Sequence, residues 1–322
     1  MIIDTETHIM YFARNSRTNA HSSRTKHHTW HEHDADLLVQ EMDAAGVDRT
    51  FLISYDAEDT RWSSEHHGFT MEDFAGGRKY TLQGVRQFPN RFYWFNTIKD
   101  PRLYPTLDLI EQDLADGATG FKLFPAYIQA TLDEPAWLAI FTRIRERGSR
   151  LLVSLETLRP PESYSLSEYV QQLDRVLSEV PDLPIALLHA GCADPLKVEG
   201  HLIVDLCLRH QGVYLSTSMA GEIWDDGTEY PYRNLLARVE RLRNTVGIDR
   251  LMWATDWPWF EDCFLYRQGL DAFRRHADFL AASELDAFLG GNARRFIDEV
   301  AQSPRLLAAD AASLRAPSNV PA

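Results

Sequence analysis

Positive charge is scarce in this chain: 33 Lys and Arg stand against 47 Asp and Glu, a formal charge of −14 over 322 residues. Nucleic acids and anionic membrane surfaces are bound through clustered basic residues, so neither is an expected partner. Cysteine is scarce as well. Cys192, Cys207 and Cys263 are widely spaced and form no CxxC pair. That excludes a disulfide framework and a thiolate zinc site, and it suits a reducing compartment. No apolar run approaches the ~20 residues of a membrane span, and no charged-then-apolar leader precedes the first apolar segment. The expected location is therefore the cytoplasm. Phosphate-cradling glycine patterns, GxGxxG, GxxxxGKS and GxxxxGKT, are also missing. Their absence counts against a nucleotide-binding doubly wound sheet.

What is present suffices for a large core, since 44% of residues are hydrophobic. Short apolar runs alternate with amphipathic ones. Strands are predicted at the N-terminus (MIIDTETHIM), then at 50–56, 91–99, 117–125, 150–157, 185–191, 212–219 and 251–259. Between them, helices are predicted at 35–46 behind an Asp34 cap, at 77–88, around Tyr104–Leu114, and over EPAWLAIFTRIRERG. SEYVQQLDRVLSEV, Leu202–His210 and YRNLLARVERLRNTVG complete the set. Residues 9–33 and 57–76 read as polar loops. Eight strands alternating with helices predict an α/β protein, a single (β/α)8 TIM barrel, with an open doubly wound sheet as the runner-up. No repeat or interdomain linker divides the chain. One domain is expected over 1–302, followed by an Ala-, Pro- and Ser-rich tail, 303–322, that frays.

The first stretch carries the sharpest chemical signal. Met1, Ile2 and Ile3 are apolar on both faces, and Asp4, Glu6 and His8 then follow at every second position. Strict strand alternation places these three on one face. A buried carboxylate and imidazole need a partner, and a divalent cation supplies one; a solvated surface strand is the plainer reading. In a barrel, chemistry gathers at the C-terminal strand ends. There the sequence puts Glu6 and His8, Lys122, Ser154 and Glu156, His189, and Asp256. The stretch HHTWHEH (His27, His28, His31, His33) reads as a loop, and as a lid over the rim more than as a ligand set. Trp30, Trp62, Trp257 and Trp259 offer either an aromatic pocket or core packing.

DxExH at Asp4–His8, GFKLFP on strand 4, LLHAG on strand 6, ATDWPW on strand 8 and GNARRF beyond it resemble the amidohydrolase-related proteins. Within the metal-dependent hydrolase superfamily, the similarity is to the branch that holds aminocarboxymuconate semialdehyde decarboxylase, and it spans residues 1 to about 300. The resemblance implies one divalent ion, Zn2+ first and Mn2+ second. It implies metal ligands at Glu6, in the place of a more usual His, at His8 and at Asp256. Asp256 is also implied as the catalytic proton acceptor, and His189 as a catalytic group acting on substrate or metal-bound water, or as a ligand. The strand 5 His of the family is absent. Ser154 stands there, with Glu156 as the substitute ligand. Lys122, on a strand where two-metal relatives carry a carboxylated Lys, is expected to contact a substrate carboxylate or to form a buried ion pair. Ser154, Tyr127, Arg159 and Trp257 are further substrate-binding candidates.

The functional expectation is a metal-dependent hydrolase of a small-molecule amide, lactone or related carbonyl, working with metal-activated water. A non-oxidative decarboxylase of an aromatic or unsaturated carboxylic acid is the second reading, and a catalytically silent binding barrel the third. The expected partner is a small molecule, and a homodimer is left open.

Overall fold

The computed structural model describes residues 1–12, 33–55, 74–155, 163–192, 198–218, 229–259 and 265–298. One sheet holds eight strands in chain order. They are β1 (Ile3–Thr7), β2 (Arg49–Ile53), β3 (Phe92–Thr97), β4 (Gly120–Leu123), β5 (Arg150–Val153), β6 (Ile185–Leu187), β7 (Val213–Ser216) and β8 (Leu251–Met252). Every neighbouring pair is parallel. Between β8 and β1 the barrel closes through single bonds rather than a ladder: Thr5 N–H to Trp253 O (3.0 Å), Asp256 N–H to Glu6 O (2.8 Å) and His8 N–H to Trp257 O (2.7 Å).

Helices α1 (Ala35–Ala45), α2 (Arg78–Gln87), α3 (Thr106–Ala115), α4 (Pro135–Glu146), α5 (Leu166–Glu179), α6 (Val198–Arg209), α7 (Arg233–Val246) and α8 (Tyr266–His276) follow the strands. Their ends obey local chemistry. Asp34 accepts the Leu37 amide at 2.8 Å and Gly46 ends α1 at φ 77°, the left-handed turn a Cβ disfavours. The strand residues separate into two cores. Ile3, Phe51, Ile53, Phe95, Leu152, Ala186, Tyr214 and Met252 fill the barrel interior. Leu52, Phe121, Leu123, Leu151, Val153, Leu187 and Leu251 pack outward against the helices. Strands apolar on both faces are what a helix-covered parallel sheet requires.

The ladder strands are shorter than the apolar runs suggest: Ser154, His189 and Asp256 lie just past the ends of β5, β6 and β8, whereas Glu6 and Lys122 stand within β1 and β4. Two elements lie where loops are predicted: Tyr11–Phe12 pairs antiparallel with Phe74–Ala75. Beyond β8 the sequence reading offers no helix, yet α8 forms. Tyr266, Leu270 and Phe273 sit at i, i+4 and i+7 and bury one stripe among arginines. Ala282–Asp286 and Asn292–Asp298 then bring Ala293 and Phe296 under the barrel as its floor. Among the described residues, no helix is long and apolar enough to cross a membrane.

One expectation is corrected. Asp4, Glu6 and His8 do not share a face. Asp4 pairs with Thr50 and Thr7 with Leu52, so three steps along β1 match two along β2. This is a β-bulge, one extra residue that flips the alternation. Thr5 faces inward, bonded to Ser216 Oγ at 2.8 Å. Glu6 then faces inward too, while Asp4 turns out to the Thr255 hydroxyl at 2.6 Å.

Candidate metal centre

The inward turn of Glu6 sets the site. Its carboxylate is fully buried, with Lys122 Nζ 3.1 Å from Oε1 and the Ser218 hydroxyl 2.6 Å from Oε2. Ser218 Oγ also lies 2.6 Å from His189 Nδ1. The hydroxyl proton goes to Glu6, so His189 Nδ1 must donate, and the other ring nitrogen, Nε2, faces Glu6 Oε1 at 3.8 Å. Burial alone would push the Glu6 carboxyl up. The neighbouring His189, Lys122 and His8 side chains, with the Ser218 hydroxyl, outweigh it and hold Glu6 down to about 2.

The second half of the site is His8 beside Asp256. His8 Nδ1 lies 3.0 Å from the Ile53 carbonyl. A carbonyl only accepts, so Nδ1 carries the proton and Nε2 the lone pair. Burial and the Lys122 charge push His8 down to about 3, so the ring is neutral near pH 7. Its Nε2 sits 3.3 Å from Asp256 Oδ1. Asp256 and His189 are both held in left-handed backbone, at φ 57° and 52°. Such conformations are costly for residues with a Cβ, and the surroundings must hold them. The Arg238 guanidinium does so at His189, donating to its carbonyl at 2.8 Å. At Asp256 the amide is tied to Glu6 O and the carbonyl to the Trp259 amide.

Glu6, His189 and Asp256 each offer one ligand atom within 4.8 Å of the others, all buried. The chemistry of this donor set fits a divalent cation. Two histidines have their Nδ1 protons fixed by acceptors, which is how imidazole ligands are oriented in metal sites. The neutral His8 Nε2 and the Asp256 carboxylate are two electron-pair donors at close range, an arrangement that a cation relieves.

Around these groups runs a band of aromatic rings. Tyr55 is edge-on to His8, with centroids 5.7 Å apart, and to Phe124 and Trp259, each at 5.4 Å. Tyr127 stacks on Phe124 at 5.4 Å, and Lys122 Nζ lies 4.4 Å from the Phe124 centroid.

The sequence candidates are thus distributed as follows. Glu6, His8, Lys122, His189 and Asp256 come together at one end of the barrel. Ser154 is buried just past β5, its amide bonded to Leu123 O. Tyr127 is half-buried in the aromatic band. Trp257 packs in the outer core, edge-on to His33 at 5.2 Å. Glu156, Arg159, Trp30, Trp62, His27, His28 and His31 lie outside the described residues. Ser218, Tyr55 and Phe124 are the contributors that the sequence reading passes over. Ser216 and Ser218, two apart at the end of an apolar strand, were the available signal for the first. GNARRF, in contrast, belongs to the floor: Asn292 Nδ2 donates to the Ile248 and Leu251 carbonyls at 2.8 and 2.7 Å.

Comparison with solved structures gives full-length likenesses at low identity. A probable 2-pyrone-4,6-dicarboxylic acid hydrolase from Acinetobacter baumannii, with citric acid bound, is 16% identical, with 92% of this chain and 98% of that chain covered at a TM-score of 0.66. An amidohydrolase from Burkholderia multivorans with bound zinc is 14% identical, covering 92% and 99% at 0.66. The 5-carboxyvanillate decarboxylase of Sphingomonas paucimobilis is 17% identical, covering 92% and 98% at 0.57. At these identities the likeness establishes the fold. Comparison with curated protein sequences finds no match. The family model described as amidohydrolase matches residues 3–298, and the chain therefore belongs to the amidohydrolase family.

Proposed function

We propose that this protein is a metal-dependent hydrolase of a small-molecule amide, lactone or related carbonyl. The observation that carries the reading is the buried pairing of neutral His8 Nε2 with Asp256 Oδ1 at 3.3 Å, beside Glu6 and His189. Glu6, His8, His189 and Asp256 would hold one divalent ion, Zn2+ before Mn2+ given the mixed N/O donors. When bound, the ion supplies Lewis acidity that acidifies water and polarises a carbonyl.

The chain's own groups have separate tasks. Asp256, in contact with His8 and held at positive φ, takes the proton from attacking water. His189 is fixed through Nδ1 on Ser218, so Nε2 is the one atom left to it, either to hold the ion or, where Glu6, His8 and Asp256 hold it, to meet a substrate oxygen. Lys122 keeps Glu6 ionised in a dry setting. The rings of Tyr55, Phe124, Tyr127 and Trp259 favour a flat substrate. Three widely spaced cysteines with no CxxC suit a reducing compartment and support a cytoplasmic location.

A second reading, non-oxidative decarboxylation of an aromatic or unsaturated acid, is favoured by the same aromatic band. In it, protonated Asp256 or His189 delivers a proton to carbon. One panel separates the two: amides and lactones scored for hydrolysis, and carboxylated phenols scored for CO2 release, with the protein stripped of metal and then reloaded. Metal-restored hydrolysis supports the first reading, and metal-restored CO2 release transfers it to the second. If chelation and add-back change neither, metal chemistry fails, and a metal-independent lactonase or, where no turnover is seen, a silent binding barrel leads.

A further inference from the structure

Asp4 lies outside the cluster, yet its carboxylate touches both β1, which supplies Glu6, and the segment just past β8, which supplies Asp256. Oδ1 accepts the Glu6 amide at 3.1 Å and the Thr255 amide at 3.0 Å, and Oδ2 accepts the Thr255 hydroxyl at 2.6 Å. Thr255 Oγ1 in turn accepts the Trp257 amide at 3.2 Å. The amides on either side of Asp256 thus lead back to one side chain. The place is also where regular pairing fails. The bulge in β1 consumes a residue between Asp4 and Thr7, and β1 meets β8 through single bonds only. Amides displaced from a ladder must find another acceptor when buried. Asp4 and Thr255 are both fully buried and provide it.

We infer that Asp4 is a positioning residue: with Thr255 it clasps the barrel seam and fixes the Glu6 and Asp256 carboxylates relative to each other. The positive φ of Asp256 is sustained by the same clasp, because the residues before and after it are both bonded into it. Only the metal-affinity readout below rests on the proposed metal chemistry.

The test compares Asp4→Ala, Asp4→Asn and Thr255→Val with wild type, and with Ile144→Ala, a core variant in α4 far from the seam, as a control for lost stability. Zn2+ alone is titrated into the metal-stripped folded proteins, and amide hydrogen exchange is followed residue by residue. Zn2+ affinity is expected to fall about ten-fold or more in Asp4→Ala, the scale seen when a partner supporting a ligand is lost. Asp4→Asn, which keeps one oxygen for the two amides, should recover part of it, and Thr255→Val should fall between Asp4→Ala and wild type. Exchange should quicken at Glu6, Thr255 and Trp257 well beyond the change at Phe51 and Leu151. If the variants lose melting temperature as Ile144→Ala does, with Zn2+ affinity within two-fold and uniform exchange, the clasp is merely structural and the inference is overturned. Should Asp4→Ala not fold, Asp4→Asn and Thr255→Val decide. Should wild type take up no Zn2+, the metal reading falls and local against uniform exchange still decides the clasp.

Discussion

At the floor of the barrel, Arg150 gives its guanidinium to the carbonyls of Phe296, Ile297 and Gly148, and Asn292 gives its amide to those of Ile248 and Leu251. At the opposite rim, Lys122 gives its charge to Glu6, Ser218 bridges Glu6 and His189, and His8 stands against Asp256. Both ends bury polar side chains. The floor satisfies them with backbone acceptors that the fold itself exposes. The rim pairs mostly side chain with side chain, keeps His189, Ala190 and Asp256 at positive φ and sets the His8 Nε2 lone pair against the Asp256 carboxylate. Floor chemistry joins strand ends, so its loss should register as stability. Rim chemistry is poised for something added, so its loss should register as binding and turnover. Gly290 shows how tight the floor is, since a Cβ there would lie 2.3 Å from the Met1 carbonyl oxygen.

Four experiments would break or sharpen this contrast. The largest effect is expected from Asp256→Asn, which keeps shape and removes the proton acceptor: turnover should drop by roughly 10^2–10^4 with melting little changed. Wild-type turnover in that variant would take Asp256 out of the chemistry. Lys122→Met leaves Glu6 as an uncompensated buried charge, and chemical denaturation should show a loss of about 3–5 kcal/mol that added divalent ion partly restores. A loss that added ion does not reduce would mean that the ion does not meet Glu6. Asn292→Ala strands two floor carbonyls and should cost ~1–3 kcal/mol, with kcat/KM within two-fold. A large kinetic defect would erase the distinction between floor and rim.

The smallest effect concerns Cys207, outside the site. Burial pushes its thiol up to about 12, despite nearby Arg250. The folded state therefore holds this proton more tightly than the unfolded one. Its contribution to stability is complete below the ordinary thiol range and fades as pH rises towards about 12. Peptide mapping after alkylation of the native protein at pH 8 should find Cys207 unmodified; rapid labelling would show that this part of the core opens.

Much of this was legible in the sequence, for physical reasons that differ by region. Strands apolar on both faces and capped amphipathic helices express local rules, so the alternation of eight strands with helices reads directly. Asp34 and Gly46 bound α1 where the sequence says they should. The rim was legible as polar residues closing apolar runs, from Glu6 to Asp256. What was not legible depends on contacts across the fold. The bulge that turns Asp4 away from Glu6 is decided by pairing with β2 and the seam with β8, and nothing local to MIIDTETHIM marks it. Lys122 carried two meanings until Glu6 stood 3.1 Å from it. Ser218 looked like an ordinary strand serine until His189 and Glu6 met on either side of it. The GNARRF motif shows the converse: a family-like signature whose Asn serves the floor rather than the chemistry.

The most direct test is a Zn2+ titration of metal-stripped protein, read by calorimetry, for wild type, Glu6→Gln and Asn292→Ala. One ion per chain is expected for wild type and Asn292→Ala, with affinity lost by at least about ten-fold in Glu6→Gln, where a ligand itself is changed. No binding in wild type, or equal binding in all three, would contradict a metal centre built on Glu6 at the rim.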